Sequence, residues 1–169
     1  YENAIKLYEE LGEYSDVAEQ LWNLRYARAA ELAEKKKYAD ALAILDKLGD
    51  DPDVQQLRID ASLKNMYYNG GSITLGRYEQ DGDVSNGSEP ISWLLMGRGI
   101  NMQSGADRIY LISEKVLDAR AFGTLSWDDS PLRSWLNNEF YNTAFNSVEK
   151  GFLDEYVYYP SEMQVNSNV

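Results

Sequence analysis

Along residues 1–69 apolar side chains recur every three or four positions, the spacing that lines one face of an α-helix. Set over each other, "YENAIKLYEELGEYSDV" (1–17) and "YADALAILDKLGDDPDV" (38–54) match at an offset of 37 residues. Tyr1/Tyr38, Ala4/Ala41, Leu11/Leu48, Gly12/Gly49, Asp16/Asp53 and Val17/Val54 are identical, and Ile5/Leu42, Leu7/Ile44 and Glu9/Asp46 are similar. Each copy predicts an amphipathic helix closed by a glycine that can take the left-handed conformation of a helix end. A short acidic turn follows. A second helix is then expected near Asp16 in one copy and near Asp53 in the other, with Pro52 just ahead. In the first copy that helix carries Leu21, Leu24, Ala27 or Arg28, and Leu32 close to the helical period. Small side chains at Ala4, Ala27, Ala30 and Ala41 would let neighbouring helices approach closely.

The pattern changes in "MYYNGGSITLGRYEQ" (66–80), where Asn69-Gly70-Gly71 ends the last helix and strand-like alternation begins. A domain boundary is expected near residue 70, dividing the chain into a helical region, 1–69, and an α+β region, 70–169. "SITLGRYEQ" predicts a strand, "QDGDVSNGSE" (80–89) a polar loop and "PISWLLMG" a second strand. "GRGINMQSGAD" then predicts another loop and "RIYLISE" a third strand, so that an antiparallel meander is expected. "KVLDARAF" continues as an extended or single-turn segment.

"SWDDSPLRSWLNNEFYNTAF" (126–145) is dense in aromatic and acidic residues, and its spacing predicts a capped amphipathic helix. Ser130 is the expected N-cap and Pro131 the first helical residue, with Asp128 and Asp129 at the positive end of the helix dipole. Leu132, Trp135, Leu136, Phe140 and Ala144 share one face, while Arg133, Ser134, Asn137, Glu139 and Tyr141 lie mostly elsewhere. Asn146-Ser147-Val148-Glu149 predicts a capping box that starts another short helix.

Charge narrows the list of partners. Residues 1–69 hold 9 Lys/Arg against 14 Asp/Glu and residues 70–169 hold 7 against 14, within a formal net charge of −12. Acidity spread over the whole length, with no basic stripe, argues against nucleic acid and anionic lipid. The absence of cysteine rules out disulfides, thiol nucleophiles and thiolate metal sites. The absence of histidine removes Ser-His-Asp chemistry and the commonest transition-metal ligand. Any catalysis must use carboxylates, Lys, Tyr or Ser, and any metal would be a hard, oxygen-bound cation. No cofactor is indicated, and no apolar run has the length of a membrane span. A start at Tyr1, inside a repeat, reads as a fragment whose targeting information lay upstream. A cysteine-free chain is compatible with the cytosol and equally with the surface of a Gram-positive cell.

Two resemblances refine this reading. Leu11-Gly12-Glu13-Tyr14-Ser15-Asp16, within units that open Tyr-x-x-Ala, resembles the tetratricopeptide-like repeats of many Firmicute proteins over about 68 residues. That resemblance implies a helical array that contacts another protein or spaces out the next domain. Gly76-Arg77-Tyr78-Glu79-Gln80, Glu89-Pro90-Ile91-Ser92-Trp93, Tyr110-Leu111-Ile112-Ser113 and Leu132-Arg133-Ser134-Trp135-Leu136-Asn137 occur in the order found in domain-of-unknown-function family 6273. The resemblance spans about 73–150 and implies the opening half of a small antiparallel-sheet α+β domain similar to C-type-lectin-like folds. The later motifs of that family are not in this chain. Its signature positions here are Tyr78, Trp93, Trp127, Leu132, Arg133, Trp135, Leu136, Asn137, Phe140 and Phe145, all expected to be structural. The family brings no established activity.

Each candidate site competes with a simpler reading. "DGDVSNGSE" offers oxygens from Asp81, Asp83, Ser85 and Asn86 to a cation, but an EF-hand begun at Asp81 needs glycine at 86 and glutamate at 92, where Asn86 and Ser92 stand. The same residues make an ordinary hairpin loop. "EPI" (89–91) and "WDD" (127–129) resemble lectin calcium and sugar motifs, yet Ile91 cannot ligate a metal. Asp128 and Asp129 offer glycosidase-like carboxylates or, more simply, helix caps. "EYVYYP" (155–160) offers a sugar-stacking surface or half-buried strand packing. The expected function is a non-catalytic interaction module, with repeats that contact protein and a C-terminal region that binds a glycan or peptide. The alternative is an enzyme, either a carboxylate-based hydrolase or an oxidase-like relative of the formylglycine-generating group.

Overall fold

The computed structural model describes residues 1–11, 17–100, 105, 107–123 and 126–153. Four helices come first: α1 (Glu2–Leu11), α2 (Val17–Glu34), α3 (Tyr38–Leu45) and α4 (Pro52–Asn69). Three strands follow, β1 (Ser72–Tyr78), β2 (Glu89–Ile100) and β3 (Asp107–Ser113). A 3₁₀ turn at Trp127–Asp129 leads into α5 (Pro131–Trp135), a π-helical turn (Leu136–Phe140), α6 (Tyr141–Ala144) and α7 (Ser147–Lys150). The fold is mixed helix and antiparallel sheet, as the change of hydrophobic period predicts.

Consecutive helices pack against one another, and α2 also touches α4. Their core is built from Ala29, Leu45, Leu48 and Val54, with Trp22, Tyr26 and Leu57 around it. Of the small residues expected at helix contacts, Ala41 is fully buried while Ala4, Ala27 and Ala30 are half-buried; Ala29 is fully buried as well. The turn after α3 closes on Gly49 at φ 77°, the left-handed glycine expected there. Gly12 and Asp16 lie outside the described residues. α4 begins at Pro52, and its cap is Asp51, whose carboxylate accepts from the Asp53 N–H at 2.9 Å. The start therefore falls ahead of the Asp53 expected from the repeat, because proline suits the first helical position and leaves the capping role to the residue before it. Arg58 from α4 reaches back to donate to the carbonyls of Leu45 and Gly49, both at 2.8 Å, and so satisfies the free end of α3.

Gly70 and Gly71, both at positive φ, turn the chain from α4 into the sheet. The strands form a meander in the order β1-β2-β3, both pairs antiparallel. β2 runs on to Ile100, so residues 98–100, expected as loop, are strand. Two glycines explain the difference. Gly97 faces Tyr110 across the ladder, and a Cβ on Gly99 would sit 3.0 Å from the Tyr110 ring. The missing side chains make room for that ring and permit pairing where composition alone reads as a loop.

A second core lies between the sheet and the helices, with Ile59, Leu75, Ile91, Phe140, Ala144 and Phe145 buried at its centre. α4 contributes Val54 and Leu57 to the helical core and Ile59 and Leu63 to this one. It also packs on β1, β2 and α7. One helix thus carries both cores, because its apolar residues wrap around more than one face. No helix is long and apolar enough to cross a membrane among the described residues.

Candidate functional site

Three places gather the residues with chemical character. The first is the stretch singled out by its aromatic density. Ser130 is buried, and its hydroxyl accepts from the Arg133 N–H at 3.1 Å while donating to the Trp127 carbonyl at 2.9 Å. It is the N-cap expected, with Pro131 next. Arg133 donates to the Asp128 carbonyl at 3.0 Å and lies 3.4 Å from its carboxylate, which ties the preceding turn to the helix. Asn137 donates to the Arg133 carbonyl at 2.9 Å. Asn146 and Glu149 form the expected capping box at the start of α7. One feature differs from the sequence reading. The helical path is not uniform, since Leu136–Phe140 is wound as a π turn between α5 and α6. Phe140, at the end of that turn, is 7% exposed, while Leu132, Trp135 and Leu136 are half-buried.

Aromatic contacts account for most of the ten positions that the sequence resemblance singled out. Tyr78 meets Trp135 and Phe140 edge-on, and Phe140 meets Phe145 at 5.8 Å and 89°. Trp93 stacks on Phe145 and donates its indole N–H to the Leu75 carbonyl at 2.7 Å. Trp127 stacks on Phe122 at 6.2 Å. At the edge of this wall the Tyr78 hydroxyl donates to Asp118 Oδ2 at 2.9 Å, and Arg120 donates to the same oxygen at 2.9 Å. The Arg120 guanidinium also lies 4.3 Å over the Trp135 ring. The segment after β3, expected as extended or a single turn, has no regular structure and is held down by this pair. The Tyr78 hydroxyl and then Arg120 hold the Asp118 carboxyl below its ordinary range. Burial first, and then the bond to Asp118, push the Tyr78 phenol up.

Asp118 carries a pH prediction. Its folded-state pKa is depressed, so its contribution to stability is present above the unfolded-state value of about 3.9 and is lost as pH falls through the lower folded value. The unfolding midpoint is expected to drop as pH falls through that acidic range. Asp118→Asn should flatten part of the drop, which urea melts from neutral pH downward would measure.

The second place is the 79–89 loop. Asp81 accepts from the Asp83 N–H at 2.8 Å and from the Asn86 side chain at 3.0 Å, and Asp83 accepts from the N–H and hydroxyl of Ser85. Asn86 therefore turns a donor, not an oxygen, toward Asp81. These bonds lower both aspartate pKa values. Glu79 and Glu89, which the motif comparison missed, bring carboxylate oxygens within 4.8 Å of Asp81. Glu79 accepts from the N–H groups of Asp81 and Gly82, and Glu89 from that of Gln80. These carboxylates satisfy the loop backbone, the ordinary work of acidic turn residues.

The third place is a groove that no motif marked. It has a volume of about 1170 Å³ and lies between α4 and the β2-β3 ladder, with Phe152 and Leu153 at one wall. Leu63, Tyr67, Tyr68, Trp93 and Met96 supply much of its apolar surface. Met96 is 65% exposed and Tyr68 54%. Tyr68 stacks on Tyr38 at 6.1 Å, and the Lys36 ammonium sits 5.4 Å over its ring. Lys36 has φ 59°, and it is the one positive-φ residue other than glycine among the described residues. Asp60 and Lys64 pair at 2.8 Å on the same lip, and the Tyr67 hydroxyl donates to Asp107 at 3.3 Å. "EYVYYP" lies outside the described residues.

No protein-family model, no curated protein and no solved structure matches the chain.

Proposed function

We propose that this chain is a non-catalytic interaction module in which helices α1–α4 contact or space out protein partners and the α+β region binds a ligand such as a glycan or peptide. The observation that carries the reading is the groove, whose walls of Leu63, Tyr67, Tyr68, Trp93 and Met96 are of the largely apolar, aromatic kind that ligand sites use. The helical part of the proposal draws on the internal match of residues 1–17 with 38–54 and on the equal length, 18 residues, of α2 and α4. The motif order resembling family 6273, with its lectin-like implication, belongs to the same proposal.

The described carboxylates whose proton affinity is altered lie outside the groove, and their shifts speak only against their own use as general acids. The carboxylates with a resolved shift, Glu2, Glu31, Asp81, Asp83 and Asp118, are all shifted down. A general acid that works near neutrality needs the opposite shift.

The test is a panel of oligosaccharides and short peptides screened for saturable binding and for turnover. Binding without turnover supports the reading; turnover of a panel member overturns it. Met96→Ser should weaken that binding while moving stability by no more than about 0.5 kcal/mol, since the side chain is exposed. A urea melt beside the binding curve checks both halves.

A further inference from the structure

We infer that the outer flank of α1 is a docking surface for an amphipathic helix of another protein, one whose contact face combines alanine with aromatic residues as that of α2 does. This rests on the reading of α1–α4 as protein-contacting helices and names the surface and the kind of partner. Glu9 on α1 and Asp46 at the end of α3 occupy matched positions of the internal repeat. Each pairs with an arginine of the helix that follows, Arg25 of α2 and Arg58 of α4. α1 therefore lies on α2 as α3 lies on α4. α3 has a second neighbour, because it also packs on α2. There Ile44 and Leu45 join the core to which α2 brings Ala29, Trp22 and Tyr26, and the Trp22 indole donates to the Leu48 carbonyl at 3.3 Å.

The matched positions on α1 are less covered. Ala41 and Leu45 are fully buried, whereas their counterparts Ala4 and Tyr8 are half-buried. Ile44 is half-buried, and its counterpart Leu7 is 60% exposed. Leu7 comes after Glu2 and before Glu9 at spacings that set it about 140–160° around the helix from both. Those two acids face α2 through Arg28 and Arg25, so Leu7 faces away from it. The corresponding flank of α3 is covered by α2, and a helix of the same kind fits the flank of α1. A second copy of this chain has its own α2 engaged with α1, α3 and α4. Charge points the same way. The chain carries −12, and α1 holds Glu2, Glu9 and Glu10 against Lys6, so two copies repel and a helix with an excess of Lys and Arg is attracted.

The experiment uses the full chain, with a synthetic peptide of the α2 sequence, Val17–Glu34, as the probe. The peptide carries Glu19→Lys and Glu34→Lys, two exposed positions, to give it the basic excess. It should bind saturably, and more weakly as salt rises. Leu7→Glu should weaken that binding about tenfold or more while leaving the urea midpoint of the chain in place, because Leu7 is exposed. Leu7→Ala, a better helix former, should give a milder loss in the same direction. Val84→Glu, at a position 83% exposed in the 79–89 loop, should change neither quantity. Peptide binding indifferent to both Leu7 variants would overturn the inference. Dimers of the chain that Leu7→Glu dissolves would put a second copy on the flank and overturn it too. No peptide binding, beside a glycan or short peptide that binds the groove, would overturn the inference and leave the binding-module reading standing. Silence in both assays would remove both.

Discussion

Gly76→Ala is expected to cost about 3 kcal/mol, close to the largest effect of any single methyl in this chain. Gly76 has φ 74°, where an L side chain adds about 1–2 kcal/mol of backbone strain. Its absent Cβ would lie 2.6 Å from the Phe145 ring and 2.9 Å from the Ala144 carbonyl. Phe145 cannot withdraw, because Phe140 and Trp93 hold it on two sides. The Gly76 N–H also donates to Glu149 at 2.8 Å, so a shift of β1 breaks the tie between the sheet and α7. Gly82→Ala is the matched control: φ is 81°, and nothing lies within 4 Å of the added methyl. It should lose only about 1 kcal/mol. Urea midpoints of the two variants separate strain from collision; equal losses would show that Phe145 does not press on β1.

Phe140→Ala should cost about 3–5 kcal/mol, the range for emptying an aromatic site in a packed core. Phe140 is 7% exposed and meets Tyr78, Trp135 and Phe145. Trp135 looks the more prominent residue in the sequence, but it is half-buried and its outer face is covered by the Arg120 guanidinium. Trp135→Ala should therefore cost less, about 2–3 kcal/mol, part of it the cation–π contact of about 0.5–1 kcal/mol. The reverse order in thermal or urea melts would mean that the π turn does not place Phe140 as described.

The contrast between these two residues marks what the sequence discloses. Helix and strand were legible because the hydrophobic period switches at Gly70, and caps were legible because Ser130-Pro131 and Asn146 through Glu149 act within one turn of chain. The apolar face of 130–145 was legible too, since Phe140 and Ala144 are buried and Trp135 and Leu136 pack on the same core; the π turn at Leu136–Phe140 was not, because helical spacing does not encode it. The end of β2 was missed for a similar reason. Gly97 and Gly99 read as loop until Tyr110, a residue from the next strand, is placed over them. The candidate site was the least legible of all. Tyr67 and Tyr68 stood in the sequence only as the end of a helix, and the groove exists because α4 and β3, about 40 residues apart, face each other across it. Residues 79–89 and 126–145 drew attention through local composition, and in both places the polar groups mostly satisfy nearby backbone.

The proposed ligand site is the groove between α4 and β3 and neither of those conspicuous stretches. Backbone amide NMR of the full chain, titrated with a ligand from the glycan and peptide panel, tests it most directly. Shift changes are expected to concentrate at Leu63, Tyr67, Tyr68, Met96 and β3. Changes concentrated in 79–89 or 126–145, with the groove residues unmoved, would contradict it.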